Sequence, residues 1–144
     1  MLTLGLLVGF GAWFVASLPV GWAASGKTTK DAVYSAAQAQ RGKAQYAQNC
    51  TVCHMDDLSG NGSAPPLAGD SFAFTWNGHT AEELFDLIRT TMPQNNPNSL
   101  APDSCADIIA YLFQANGAPS GQDDLKSDAA DLKNITIEVK ESGP

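Results

Sequence analysis

Basic residues and cysteines are both scarce in this sequence. Eight Lys and Arg stand against fifteen Asp and Glu, which gives the 144 residues a formal net charge of −7. A nucleic-acid-binding surface must be basic to neutralise phosphates, so this balance argues against a nucleic-acid partner. It favours a macromolecular partner with positive charge at its docking surface. The three cysteines are too few for a disulfide scaffold, and their odd number leaves at least one for another use.

Charge is missing altogether from the first 26 residues. An apolar run over residues 2–18 ends at Pro19, and residues 21–23 form the small-x-small pattern that precedes signal-peptide cleavage. The sequence therefore predicts a secretory signal peptide over residues 1–23. The basic segment that usually opens a signal peptide is missing. A retained membrane anchor is the alternative, because about 20 apolar residues span a bilayer and this run nearly reaches that length. Both interpretations place the rest of the chain outside the cytoplasm.

Three main helices and almost no strand are predicted in the rest of the chain. The first covers residues 32–49, which are rich in Ala and lack proline. The second covers residues 80–91 and opens with a capping box, and the third covers residues 102–117, from a proline to a glycine. Residues 55–78 are rich in Gly, Pro, Asn and Ser, and so long a loop indicates a non-protein group in the space it surrounds. The predicted fold class is all-α.

The strongest motif is Cys50-x-x-Cys53-His54. Two thiols at this spacing can add to the two vinyl groups of one porphyrin, and the next residue then presents its imidazole to the iron. A thioredoxin-like pair would lie at the start of a helix after a strand, whereas Cys50 follows a predicted helix. Zinc would need a fourth ligand, and only Cys105 or His79 remains for it, neither at a paired spacing. The motif therefore predicts one covalently bound haem c.

Four motifs follow one another along the chain. They are Gly42-x-x-x-Tyr46-x-x-x-Cys50-x-x-Cys53-His54, Pro65-Pro66-Leu67, Met92-Pro93 and Asp107-Ile108-Ile109-Ala110-Tyr111-Leu112. In this order they resemble a class I c-type cytochrome domain over residues 31–117. Residues 33–38 and 89–93 are similar, less specifically, to the small cytochromes of periplasmic pyrroloquinoline-quinone (PQQ) alcohol dehydrogenases. The resemblance implies a cytochrome c-like fold round one haem, followed by an acidic extension over residues 118–144.

The iron also needs a ligand on its second face. Met1 lies in the leader, and Met55 follows His54 directly, so it cannot reach the opposite face of the porphyrin. Met92 remains, before a proline that keeps its backbone extended, and class I cytochromes place their distal methionine in the same setting. A core methionine is the alternative. His79 is the competing ligand, although its position before a helix cap is typical of a solvated turn residue.

The resemblance implies further contacts round the haem. In class I cytochromes a proline carbonyl accepts the ring N–H of the axial histidine, which assigns Pro65 to His54, and Leu67 then packs on the porphyrin. Trp76 and Arg89 are candidate hydrogen-bond donors to the haem propionates, since buried carboxylates need donors.

The first and last helices cross closely in that family. Gly42 and Tyr46 are the candidate contacts on the first helix, and Ile108 and Tyr111 are those on the last. Glycine lacks the side chain that would hold the helices apart. Ordinary core packing is the alternative at the apolar positions. Cys105 is interpreted as a buried, inert thiol, with redox signalling or covalent dimerisation as alternatives.

These residues together indicate an electron carrier rather than an enzyme, because an iron with both axial positions filled does not easily bind oxygen or peroxide. The resemblance implies a periplasmic respiratory chain, with a quinoprotein dehydrogenase as donor and a terminal oxidase as acceptor. A permanent subunit of a dehydrogenase complex is one alternative. A haem-based gas sensor or peroxidase-like module is another, should Met92 bind weakly. Membrane contact follows only from a retained N-terminal segment.

The acidic extension contains one regular pattern. Residues 135–139 alternate apolar and polar side chains like a short strand, but the sequence offers no sheet for them. They either add to the edge strand of a partner or belong to a disordered terminus.

Overall fold

A computed structural model describes residues 26–140, and the predicted signal peptide lies outside them. The described chain is mainly helical, as the sequence predicted, with one two-stranded parallel sheet. In chain order its elements are β1 (Lys27–Thr28), a 3₁₀ turn (Thr29–Asp31), α1 (Ala36–Asn49), α2 (Thr51–His54), α3 (Asp70–Trp76), α4 (Ala81–Thr91), α5 (Pro102–Ala115), α6 (Ala129–Leu132) and β2 (Ile135–Thr136). Within residues 26–140 no helix is both long and apolar enough to cross a membrane.

Hydrogen-bonding side chains determine where two of the helices begin. The Ser35 hydroxyl accepts a hydrogen bond from the N–H of Gln38, so α1 begins a turn later than predicted. Thr80 and Glu83 form the predicted capping box before α4. The Thr80 hydroxyl accepts from the N–H of Glu83, and the Glu83 carboxylate accepts from the N–H of Thr80 at 2.7 Å. The second predicted helix therefore has the predicted bounds.

The prediction of a continuous loop over residues 55–78 is wrong at its end, where α3 lies. Asp70 is in the first turn of this helix, where a carboxylate is favourable. Phe72 and Ala73 are buried, and the rings of Phe72 and Trp76 lie 6.4 Å apart between centroids. Burial of an aromatic face at helical spacing thus outweighs the Gly- and Asn-rich flanks that indicated a loop.

Helices α1 and α5 cross in direct contact in the core. A Cβ atom on Gly42 would lie 1.8 Å from the carbonyl oxygen of Asp107 and 3.0 Å from the Cβ of Tyr111, so only glycine fits there. The rings of Tyr46 and Tyr111 lie 5.3 Å apart between centroids, and Ile108 is buried. The crossing therefore sets where the end of α1 lies, just before the cysteine motif.

The C-terminal extension packs against its own domain. Leu132 and Ile137 are fully buried, and β2 pairs in parallel with β1. The N–H of Ile137 donates to the carbonyl of His79 at 2.8 Å, and the N–H of Gly78 donates to the carbonyl of Ile137 at 3.0 Å. The structure therefore supports neither a disordered terminus nor a strand that awaits a partner, because neighbours within the chain already occupy both sides of this segment.

Polar contacts hold an earlier part of the extension on α1. The side-chain amide of Gln38 donates to the carbonyl of Leu125 at 2.8 Å and accepts from the N–H of Leu125 at 2.6 Å. The Asp124 carboxylate accepts a hydrogen bond from the Ser35 hydroxyl and pairs with Arg41 at 2.6 Å, and both contacts lower the pKa of Asp124. The extension is thus fastened to the helix that leads into the cysteine motif.

Gly42→Ala tests the helix crossing. Alanine is the better helix former by about 1 kcal/mol, but its methyl group would meet backbone, which cannot move aside. We expect a net loss of about 3 kcal/mol in the free energy of unfolding, measured in urea by circular dichroism. Gly62→Ala is the matched control, since nothing lies within 4 Å of that position, and it should change stability by less than about 0.5 kcal/mol. Equal stability of the two variants would show that α1 and α5 do not touch at Gly42.

Candidate haem-binding site

The cysteine motif spans the junction of α1 and α2. Cys50 lies between the two helices and is half-buried, whereas Cys53 is exposed on α2. Burial raises the pKa of the Cys50 thiol to about 11, and the nearby Cys105 thiol adds to the shift. Both thiols of the motif are free rather than joined in a disulfide. They are therefore in the chemical state that thioether formation requires.

His54 follows at the end of α2 and is buried. Its Nδ1 atom lies 3.0 Å from the carbonyl oxygen of Pro65. A carbonyl can only accept, so Nδ1 carries the proton and Nε2 is left with the lone pair that binds a metal. The structure thus gives His54 the orientation and tautomer of an axial ligand.

Gly60 makes this contact with Pro65 possible, and sequence reasoning did not single it out. Its N–H donates to the carbonyl of His54 at 3.1 Å, and its φ of 70° lies in the left-handed region. A Cβ atom there would lie 2.3 Å from the carbonyl oxygen of Ala64 and 2.7 Å from the carbonyl carbon of Pro65. Only glycine lets the loop close so tightly behind the histidine. In the sequence this residue is one of several glycines in a flexible-looking stretch.

The two candidate distal ligands lie at opposite ends of α4. Met92 directly follows the helix, with an extended backbone (φ −116°, ψ 149°), and its half-buried side chain packs against the core. His79 precedes the helix, where its half-exposed ring meets the Glu83 carboxylate at 3.2 Å. An eleven-residue helix is about 16 Å long, so Met92 and His79 cannot both reach the same axial position of one iron. His79 has the surface setting of a helix-cap residue.

The remaining predicted contacts come from three different parts of the chain. Leu67 is half-buried in the loop before α3, and its carbonyl accepts a hydrogen bond from Asn116 at 3.0 Å. The half-buried indole of Trp76 ends α3 and packs edge-on against the His79 ring at 5.7 Å. Arg89 lies in the last turn of α4, and its guanidinium donates to the carbonyl of Leu100 at 3.4 Å. That contact is long for a hydrogen bond and uses one N–H of the guanidinium.

This donor set fits an iron porphyrin. It offers two free thiols, one imidazole with a defined open nitrogen and a thioether, together with half-buried apolar side chains that pack on the core. Among residues 26–140, no group of three or more His, Cys, Asp or Glu could hold a metal ion by itself. The zinc interpretation therefore finds no ligand set in the described part of the chain.

Gly60→Ala tests the close turn behind His54. Gly69 also has a positive φ (71° against 70°) but open space round it, so Gly69→Ala introduces backbone strain without the clash. We expect Gly69→Ala to lower the free energy of unfolding by about 1–3 kcal/mol, because its φ of 71° and ψ of −153° disfavour a side chain. Gly60→Ala should lower it by at least twice as much, as measured by urea denaturation. Equal losses of unfolding free energy in the two variants would mean that the close approach of Gly60 to Pro65 adds no cost of its own.

Comparison with known proteins shows the family of this chain. A family model described as cytochrome c oxidase, cbb3-type, subunit III matches residues 37–112, just over half of the chain. The chain is 33% identical over 78 residues to the thiosulfate dehydrogenase of Stutzerimonas stutzeri (strain A1501), which is 50% of this chain and 25% of that protein. It thus spans about a quarter of that relative's length.

Among solved structures, the sulfane dehydrogenase SoxCD from Paracoccus pantotrophus is 25% identical, with 82% of this chain and 62% of that chain covered and a TM-score of 0.48. The family match runs from the first turn of α1 to the last turn of α5 and includes Cys50, Cys53, His54 and Met92. The chain therefore belongs to the family described as cytochrome c oxidase, cbb3-type, subunit III, and is a class I c-type cytochrome that binds haem c covalently.

Proposed function

We propose that this cytochrome domain carries single electrons between two redox proteins. Cys50 and Cys53 would hold the haem through thioether bonds. His54 would bind the iron on one face and Met92 on the other. The observation that carries the proposal is the 3.0 Å hydrogen bond from the His54 ring to Pro65, because it leaves the other ring nitrogen as a metal ligand. Haem c, when bound, supplies the one-electron couple of its iron.

Two protein ligands favour electron transfer over catalysis. With His54 and Met92 both bound, no axial position is left for a small molecule. A thioether ligand also raises the reduction potential, which suits a carrier between a dehydrogenase and an oxidase. Leu67 would pack on the porphyrin, and Trp76 and Arg89 would donate to the propionates. The half-buried positions of Leu67 and Trp76 support these roles.

The donor and the acceptor are proposed from the comparisons and the motifs together. The family description names an oxidase subunit, and the relative is named a thiosulfate dehydrogenase. Both names support a place between a dehydrogenase and a terminal oxidase. We propose a periplasmic dehydrogenase as donor, with the PQQ-linked enzymes as the first class to test because of residues 33–38 and 89–93. The predicted signal peptide over residues 1–23 supports periplasmic localisation.

A second candidate is a permanent subunit of a dehydrogenase complex. It is favoured by one observation, that the chain matches only a quarter of a protein which is named a dehydrogenase as a whole. In either case we propose that the cytochrome domain over residues 31–117 functions together with residues 118–140. The buried contacts of the extension with α1 and with the loop before α4 support this larger unit.

Electrons would enter or leave near the exposed side of the cysteine motif. Val52, between the two cysteines, is 87% exposed, and Met55 just after the motif is 42% exposed. The exposed Asp56 and Asp57 follow at once. An apolar contact next to acidic side chains, on a chain of net charge −7, supports a partner whose docking surface is basic.

Met92→Ala tests the distal ligand. The ferric wild-type protein should show a methionine-to-iron charge-transfer band in the near infrared, and its ferrous form should resist carbon monoxide. Loss of the thioether opens one axial position, so the variant should lose the band and bind carbon monoxide. Met55→Ala is the control and should keep the wild-type spectrum, because Met55 cannot reach the opposite face. A band that survives in Met92→Ala would assign the ligand elsewhere.

Charged redox reagents test the acidic surface without knowledge of the natural partner. We expect the rate of oxidation by the cation cobalt tris(phenanthroline) to fall as ionic strength rises, because salt screens the attraction. The rate with the anion ferricyanide should rise over the same range. Stopped-flow measurements on one preparation provide both rates. Rates that do not depend on salt would contradict a steering role for the acidic side chains.

A further inference from the structure

Tyr46 does more than pack in the helix crossing. Its ring is 2% exposed, and its hydroxyl donates a hydrogen bond to the carbonyl oxygen of Met55 at 2.7 Å. The same carbonyl oxygen also accepts from the N–H of Leu58 at 3.3 Å. A side chain of α1 is thereby bonded to the residue that directly follows His54.

Met55 has a backbone conformation that disfavours a side chain. Its φ of 63° and ψ of 161° lie in a region that is nearly restricted to glycine. Such a conformation is unfavourable and persists only where surrounding contacts hold it. The side chain is 42% exposed, so its packing is weak. The contacts that hold it are made to its backbone. The N–H of Met55 donates to the carbonyl of Thr51 at 3.0 Å, and the Met55 carbonyl accepts from the Tyr46 hydroxyl and from the N–H of Leu58.

The Met55 conformation directs the loop that returns to His54. Five residues later Gly60 donates to the His54 carbonyl at 3.1 Å, and ten residues later Pro65 accepts from the His54 ring at 3.0 Å. Relaxation of Met55 toward negative φ would turn the chain away from both contacts. The orientation of the imidazole therefore depends on a bond made by a residue of α1, eight positions before the histidine in the sequence.

We propose that Tyr46 is a positioning residue for the axial histidine, acting through its hydrogen bond to the strained Met55 peptide. This inference rests on the proposed role of His54 as an iron ligand. It assigns to the Tyr46 hydroxyl an effect on the reduction potential, in addition to the packing of its ring. The potential responds because ligand orientation and the hydrogen bond to the ligand tune the iron.

A double-mutant cycle in the full-length haem protein tests the proposal. Tyr46→Phe keeps the ring and removes the hydroxyl. Met55→Gly makes the same backbone conformation accessible without strain. We expect Tyr46→Phe to shift the reduction potential, measured by spectroelectrochemical titration, and the shift to fall to less than half in the Met55→Gly background. Tyr111→Phe, on the other ring of the same pair, is the matched control and should leave the potential unchanged.

The remaining outcomes also decide the question. A Tyr46→Phe protein that is less stable in urea but has the wild-type reduction potential would show that Tyr46 has only a structural role. Equal shifts of the potential in both backgrounds would show that Tyr46 does not act through Met55. Should Tyr46→Phe fail to accumulate, the double variant with Met55→Gly is expected to be recovered, and its loss as well would contradict the proposal. Failure of the proposed function is distinct, because it would appear in the wild-type spectrum as absent haem or absent histidine ligation.

Discussion

The contact between α1 and α5 at Gly42 is the constraint on which the other features depend. A backbone carbonyl of α5 occupies the space that any side chain at this position would need. Close packing of two helices at one point leaves little freedom in their relative position. The last turn of α1, Cys50 after it and the short α2 are therefore placed by a crossing that lies outside the haem site itself. The paired rings of Tyr46 and Tyr111 extend the same contact toward the site.

Two connections run from this crossing to His54. Along the chain, α2 leads directly to His54. Across the chain, the Tyr46 hydroxyl holds the Met55 carbonyl, and the loop beyond returns Pro65 to the histidine ring. The tight turns of this loop require positive φ at Met55, at the buried Leu58 and at Gly60. These strained backbone conformations persist because contacts with the packed helices α1 and α5 hold them.

The C-terminal extension belongs to the same unit. It is bonded to α1 through Gln38 and to the loop before α4 through His79, so it bridges the helix that leads into the cysteine motif and the helix that leads to Met92. Its apolar side chains supply buried area to a small domain, in which each added contact is a large fraction of the net stability.

The sequence by itself determined the chemistry: a thiol pair with an adjacent imidazole, a methionine before a proline, and helices marked by a capping box and a Pro–Gly pair. The thiol pair with its imidazole and the helix signals are local patterns, in which spacing alone puts the groups within reach of one another. Met92 lies far from His54 in the sequence and is singled out by elimination and by resemblance. The tertiary structure alone decided the rest. Helix α3, the intrachain pairing of β2, the closure at Gly60 and the bond from Tyr46 to Met55 each depend on contacts between residues far apart in sequence or on one backbone angle. A single sequence does not encode such contacts in any local pattern, because their energy comes from the shape of the assembled core.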